Sequence, residues 1–534
     1  MTVLREVSAV ARVAIAALAG ATLMLSGCMI GPDFAAPDAQ VASEWPAGAD
    51  PAVDASRQEY REWWLVFGDP VLEQLIETAY AQNLDLRMAG VRVLAARAQL
   101  GVTIGELYPQ QQAVVGSLSH NRLPGSIPYN LIQNKFWQAY VGAQAGWEID
   151  LWGKIRRAIQ SSDAGYLASV AGYDDVLVTL LGDVATTYVQ LRTLQKRIHI
   201  ATENIARQKE AVRIADNRFR GGVVTKRDVY QAENVLGATE ASIPAYNIEV
   251  AQAENALAVL LGVPPGSLKD ILSTPGSIPM APPQIAVGIP AELLRRRPDI
   301  RQAELDAAAQ SAQIGVAKAD LLPAFSLVGN VGTLSTDIGR GSLSDIFTAK
   351  RITYSAGPTV QWNILNYGQI TNNVRLQDAR FQELLVDYQN TVLTAQQEVA
   401  DAMAMYLESG KQAVFLHESK VAAQGALTIA MNQYKEGTAD FTDVLTAEEN
   451  LLTAEDDLAV AQGNIPIGMI AAYRALGGGW QIREGGEYVD AATREQMEKR
   501  TNWGTWLTPE LLSPEAPGLP GPEDEGPTIR RPEW

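Results

Sequence analysis

The sequence predicts a mainly α fold with a four-stranded β contribution. In this fold an internally duplicated chain uses long helices to line an α-barrel, and its strands join a transmembrane β-barrel shared with other copies. Three observations carry this. Landmarks recur at a separation of 214 or 215 residues, two segments alternate apolar and polar residues with period two, and two proline-free stretches hold an apolar seam in steps of three and four.

The repeat is explicit. Ala98-Gln99-Leu100-Gly101-Val102, ending at Pro109, returns as Ala312-Gln313-Ile314-Gly315-Val316, ending at Pro323. Trp147 and Gly153 return as Trp362 and Gly368. Gly222, Asp228, Val229, Ala232 and Glu233 return as Gly437, Asp443, Val444, Ala447 and Glu448, and Leu261-Gly262 as Leu476-Gly477. Landmarks in constant order at constant separation mean that each half repeats one structural plan.

From Phe136 to Ile149 the odd positions Trp137, Ala139, Val141, Ala143, Ala145, Trp147 and Ile149 are apolar, and the even ones include Gln138, Gln144 and Glu148. In the second half Ile352, Tyr354, Ala356, Val360, Trp362 and Ile364 face one way, and Arg351, Thr353, Ser355, Thr359, Gln361 and Asn363 the other. Apolar out and polar in, with Trp137, Trp147, Tyr354 and Trp362 as membrane-facing aromatics, is the pattern of a barrel strand in lipid. Alternation alone also fits a soluble sandwich. Partner strands fall around Gln112 to Ser119 and Ala324 to Gly332. Four strands cannot close a barrel, which needs about eight, and a lone sheet in lipid leaves two edges of unpaired backbone groups. Several subunits must share it.

After each second strand a long helix is expected, Gly153 to Phe219 and Gly368 to Tyr434. The first seam reads Val170, Tyr173, Leu177, Leu180, Val184, Thr187, Leu191, Leu194, Ile198, Ala201, Ile205, Gln208, Val212, Ala215, Phe219, and its copy runs from Leu385 to Tyr434. A repeat of 3.5 residues held this long implies left-handed coiled-coil packing. Each helix would span about 100 Å at ~1.5 Å per residue. Turns at Gly221-Gly222 and Glu436-Gly437 reverse the chain into returning helices, Thr225 to Leu261 and Asp440 to Leu476. These are too short to pair the long helices alone. Stacking each on a helix that precedes the strands, Leu84 to Leu107 and Asp299 to Leu321, supplies the missing length.

The N-terminus carries Arg5 and Arg12 before an apolar run from Val13 to Leu25 that is too short to span a bilayer, and residues 1–27 read as a signal peptide. Leu25-Ser26-Gly27-Cys28 resembles a bacterial lipobox, in which Cys28 is lipidated and begins the mature chain; Met29, rather than Asp, at the next position then implies outer-membrane delivery. Cys28 is the only cysteine, so an intrachain disulfide is excluded. The rest divides into a lipidated extended segment 28–60, a first repeat 61–265, a second 266–479, and a tail 480–534 whose prolines predict partial disorder.

Lys+Arg 43 against Asp+Glu 61 argues against nucleic acid, which needs a basic face. His120, His199 and His417 are scattered and suggest neither metal nor catalytic base. Gly477-Gly478-Gly479 lacks phosphate-loop spacing and reads as a helix stop, and Arg295-Arg296-Arg297 as a solvated or interface patch. No nucleophile, base and oxyanion site assemble, so an enzyme is not expected.

From Cys28 to about Trp480 the chain resembles the outer-membrane efflux protein family, the TolC-like outer-membrane factors, in the lipoprotein branch related to OprM and NodT. The resemblance rests on Cys28-Met29-Ile30-Gly31-Pro32-Asp33-Phe34 with Pro37, Trp63-Trp64-Leu65-Val66-Phe67-Gly68-Asp69-Pro70, Trp147-Glu148-Ile149-Asp150-Leu151-Trp152-Gly153-Lys154, Leu293 to Arg301, and Ala475 to Trp480. It implies a homotrimer with twelve strands in the outer membrane and a helical tube across the periplasm. It also implies a passive duct for small amphiphilic compounds and antibiotics, with no cofactor beyond the covalent lipid on Cys28. The implied partners are outer-membrane lipid, a periplasmic adaptor (membrane fusion protein) and an inner-membrane resistance-nodulation-division (RND) transporter. A type I protein secretion duct shares the same architecture. A periplasmic coiled-coil adaptor lipoprotein would lack the aromatic-faced strands and the two-hairpin duplication.

The resemblance also places a gate at the periplasmic tip, with Asp443 in a gate-aspartate position, Asp440 nearby and Tyr434 at the end of the long helix. A second gate acid and a gate arginine would fall at Thr446 and Ala439, where this sequence departs from the family. The first-half turn is basic, with Arg218, Arg220, Lys226 and Arg227 near Asp228, and these cations are expected to pair with Asp440 and Asp443 when the duct is shut. The turns themselves, Gly221, Gly222, Glu436 and Gly437, are the expected adaptor-docking points.

Overall fold

The computed structural model describes residues 29–36, 38–46, 48, 50–54, 60–122, 135–272, 276–286, 296–338 and 341–507. Cys28, the leader before it and the proline-rich stretch after residue 507 lie outside these. In chain order the elements are β1 (Val53–Asp54), α1 (Pro70–Gln82), α2 (Leu84–Gly105), β2 (Gln111–Arg122), β3 (Lys135–Ile149), α3 (Lys154–Arg220) and α4 (Lys226–Leu260). After a single helical turn come β4 (Ile285–Ala286), α5 (Pro298–Ala319), β5 (Ala324–Thr336), β6 (Ile352–Gln361), α6 (Gln369–Glu436), α7 (Phe441–Ala475) and α8 (Ala491–Arg500). The duplicated plan is present as expected: the helix ends shift by a residue or two, whereas β2 and β5 run three and four residues past the expected strands and β6 ends at Gln361, before Trp362 and Ile364. α1 is an addition: Asp69 caps its N-terminus, accepting from Val71 and Leu72, and Pro70 occupies the first turn.

The long helices α3 and α6 hold 67 and 68 residues, and each is entered through a glycine in the left-handed region, Gly153 at φ 77 and Gly368 at φ 84. α2 and α4 pack on one flank of α3, α5 and α7 on the other, and α6 packs against α5 and α7. The short helices stack end to end, as the length argument requires. At the two junctions Gly262 and Gly477, both at φ 68, let α4 abut α2 and α7 abut α5; a side chain at either would strike the backbone of Gln82 or Arg297. Repeat-equivalent side chains tie the ends: Asn83 Nδ2 donates to the Leu260 carbonyl at 2.8 Å, and Arg297 Nη1 to the Ala475 carbonyl at 2.8 Å. Arg297 also holds Asp299 and Glu398, each at 2.7 Å, and is buried. The arginine run is therefore not simply a solvated patch, because its third member closes the second junction.

The sheet runs β2-β3-β5-β6, antiparallel throughout, and β1 pairs with β4 in a separate parallel contact. Its register puts Ala113, Gln144, Asn330 and Ser355 in one row and Val114, Ala143, Val331 and Tyr354 in the next. Side chains of adjacent rows point to opposite faces. The second row's face is bare: Val114 and Tyr354 are each 83% exposed. Among the described residues the outer strands β2 and β6 have one partner each, so both edges are open.

The C-terminal segment is more ordered than its composition suggests. Arg483 forms a buried two-pronged pair with Asp174 of α3, Tyr488 meets Tyr173 edge-on at 5.1 Å, Arg87 holds Asp490 at 2.9 Å, and Trp506 lies 5.4 Å from Arg97. Residues 480–507 thus form a belt against α2 and α3, the packed part of a tail expected to be partly disordered.

Candidate functional site: the helical tip

Four helix ends meet where α3 turns into α4 and α6 into α7. Their shared core comprises Ala211, Ala215, Val229, Ala232, Leu427, Tyr434, Phe441, Val444 and Leu451. Tyr434, expected at the gate from its place at the end of the seam, is 1% exposed, with Phe441 at 4.9 Å on one side and the Arg218 guanidinium 4.4 Å from its ring on the other. Its hydroxyl has no hydrogen-bond partner among the described residues. Burial, reinforced by the nearby Asp228 carboxylate, raises its pKa above the ordinary tyrosine value, so the phenol keeps its proton.

The duplicated aspartates have separate fates. Asp228 is buried, accepts from the Thr225 hydroxyl at 3.3 Å, and has Arg227 at 3.9 Å. Asp443, its repeat equivalent, is exposed, as is Asp440, the residue before α7. Neither holds an ion pair among the described residues. Within one subunit the cations have other neighbours: Arg218 covers Tyr434, Arg220 pairs with Asp216 at 2.8 Å, and Lys226 lies over the Tyr230 ring at 4.9 Å. The turn residues Gly221, Gly222, Glu436 and Gly437 are exposed.

The sequence reading missed Glu448 as a site residue. It is 3% exposed on α7, and burial pushes its carboxyl up to about 7. Its only mark in the sequence is a seven-residue spacing to Glu455, and the burial of both acids is visible only in the structure.

At the opposite end, the aromatics expected to face the membrane divide into two kinds. Tyr354 and Trp137 lie on the bare apolar face, Trp137 beside His120 at 4.9 Å. Trp147 and Trp362 stand at the strand-to-helix boundary, where their indole N–H groups donate to the Leu107 and Leu321 carbonyls at 3.1 and 3.0 Å. The N-terminal segment is pinned at the same level. The Ile30 amide donates to the Trp152 carbonyl at 3.1 Å, and buried Arg157 reaches the Ile30 carbonyl at 3.2 Å and Asp33 at 2.7 Å. Met29 packs on Gly153, where a larger residue would collide with it. No described helix is long and apolar enough to cross a membrane.

Duplicated long helices, an unclosed sheet with a bare apolar face and a tip of charged turns define a membrane channel protein with a long helical body. The model of the family described as outer membrane efflux protein matches residues 75–263 and 289–478, one match per repeat. The chain is 30% identical over 478 residues to the solvent efflux pump outer membrane protein SrpC of Pseudomonas putida, covering 87% of this chain and 98% of that protein. It is 28% identical to the cation efflux system protein CusC of Escherichia coli, covering 86% and 97%. Among solved structures, the outer-membrane channel OprN superposes with a TM-score of 0.79 at 36% identity, covering 85% of this chain and all of that one. The chain belongs to the outer membrane efflux protein family: it is an outer-membrane efflux channel that extends into the periplasm, and its work is transport rather than catalysis.

Proposed function

We propose that three copies form one passive exit duct for small amphiphilic compounds, closed at its periplasmic tip by contacts between subunits. The supporting observation is the sheet, whose bare apolar face and two open edges require neighbours. Three copies of its four strands make twelve, enough for a closed barrel. The free flanks of the helical layer agree, since α6 exposes Val414, Phe415, Val421 and Ile429, and α4 exposes Tyr230, Ile248 and Val259. On this reading Asp440 and Asp443 face the neighbouring subunit's Arg220, Lys226 and Arg227, because no ion pair among the described residues engages them. Cys28 carries the lipid; its neighbour Met29 is docked at the strand-to-helix boundary, where an acyl chain reaches the bilayer. The exposed turns at Gly222 and Gly437 receive a periplasmic adaptor that links the duct to an RND transporter.

The relatives named for solvent, antibiotic and cation efflux support small-molecule cargo. The test is the susceptibility of a strain lacking this chain. Sensitivity to amphiphilic antibiotics and solvents, restored by the full-length chain, is expected. Unchanged susceptibility together with loss of a secreted protein would reassign the duct to type I secretion.

A further inference from the structure

Among the described residues the two larger apolar cores lie along the helices, one in the body and one at the tip. The body core includes Leu191 of α3, Tyr406 of α6 and Met469 of α7, and the tip core centres on Tyr434. Between them the packing turns polar. Buried Asn204 donates to Glu455 at 2.9 Å, Arg207 Nη2 reaches the same carboxylate at 2.7 Å, and Lys420 of α6 stands 3.8 Å from it. One turn closer to the tip, Gln208 is 2% exposed and neither its Nε2 nor its Oε1 has a partner. Nε of Arg207 is likewise unpartnered.

Glu448 enters this boundary from α7, two turns below Glu455 and therefore on the same helix face. It has no hydrogen bond or ion pair among the described residues, whereas its repeat equivalent Glu233 is exposed. Arg207 of α3 is the cation that acts on it, and that side chain is already engaged by Glu455. Lys420 of α6 is committed to Glu455 as well, and the other buried titratable groups at the tip, Asp228 of α4 and Tyr434 of α6, lie near each other and neither carries positive charge. An ionised carboxylate sealed here without a partner is disfavoured against its neutral form.

We infer that Glu448 is a further gating residue, a carboxyl that holds a proton while the tip is packed and releases it to solvent when the tip opens. The inference rests on the tip being the gate. The sign follows from linkage: the packed tip has the raised carboxyl, so it binds the proton more tightly and is favoured by acid. Its advantage fades as pH rises from the ordinary glutamate value of 4.5 to about 7, a span that caps the change in closed-to-open ratio on the order of a hundredfold.

The experiment uses full-length protein in planar bilayers, with current recorded from about pH 5 to about pH 8. The parent is expected to open more as pH rises, whereas Glu448→Gln, which keeps shape and loses the titration, stays near the parent's acid-side level throughout. A parent-like profile in Glu448→Gln overturns the inference. If that variant does not assemble, Arg207→Met carries the test: removing the cation that stabilises the carboxylate is expected to move the parent's midpoint upward, and an unmoved midpoint overturns it. Hydrogen exchange at Phe441–Leu451, corrected for the intrinsic pH dependence, separates the two layers of reasoning. Exchange that follows pH in the parent but not in Glu448→Gln, with current that ignores pH, rejects the tip as the gate and leaves the proton coupling standing. Exchange and current both indifferent to pH reject the coupling.

Discussion

Tyr434 offers the sharpest separation of packing from hydrogen bonding at the tip. Tyr434→Ala removes a ring that is 1% exposed and lies between Phe441 at 4.9 Å and Arg218 at 4.4 Å. Truncating a buried aromatic to alanine costs about 3 to 5 kcal/mol, and the cation–π contact adds about 0.5 to 2. If half of this bears on the closed tip, the closed-to-open ratio falls on the order of a hundredfold per subunit. Tyr434→Phe keeps the ring and deletes a hydroxyl without a partner among the described residues. An unsatisfied buried hydroxyl costs about 1 to 3 kcal/mol, so this variant is expected to close as well as the parent or better. The assay is entry of a bulky hydrophilic antibiotic that the intact outer membrane excludes, with bilayer current alongside. Leakage in Tyr434→Ala and none in Tyr434→Phe is expected. Equal leakage in both would show that the hydroxyl, bonded across subunits, closes the tip, and would refute the packing argument.

Three further outcomes follow from the body. Arg297→Ala is expected to lower the thermal stability of the assembled protein more than Asn83→Ala, since a charged donor to a buried carbonyl contributes about 1.5 to 3 kcal/mol and a neutral one about 0.5 to 1.5; equal melting losses would contradict the junction assignment. Arg483→Ala leaves the buried Asp174 unpaired and should destabilise by about 3 to 5 kcal/mol at neutral pH. Burial already raises the Asp174 carboxyl, so the loss is largest above the ordinary carboxylate range and shrinks as acid neutralises Asp174; a loss unchanged by acid would oppose this account. On the sheet, Val331→Arg puts a charge on the lipid face and should cost about 2 to 4 kcal/mol near mid-membrane, whereas Asn330→Arg, one residue away on the other face, should still yield membrane-inserted protein in a fractionation assay.

Most of the architecture was legible because long coiled-coil helices and membrane strands are local, periodic structures. The seam from Val170 to Phe219 is buried along most of its length, and the odd positions of Phe136 to Ile149 do share one face. The helix stacking was legible as a length mismatch, but the side chains that close it were not, because the run at Arg295 to Arg297 gives no hint that Arg297 meets a helix end 178 residues away. α1 and the belt at 480–507 were missed for a related reason: each is short and held by tertiary contacts such as Arg483 with Asp174, which leave no period in the sequence. At the tip, the repeat showed that Asp228 and Asp443 are equivalent by position, yet one is buried and the other exposed, a difference made by the neighbouring helix ends. Glu448 escaped notice because an acid in a charged, amphipathic helix looks like any solvated residue until its surroundings are known.

The central claim is that this chain forms a duct held shut at its tip by Asp440 and Asp443 of one subunit against its neighbour. Single-channel recording of the purified full-length protein, compared with Asp440→Ala/Asp443→Ala, tests it most directly. The account expects a small, mostly closed conductance that rises severalfold when both carboxylates are removed. An unchanged conductance in the double variant, or a parent that forms no channel, would contradict it.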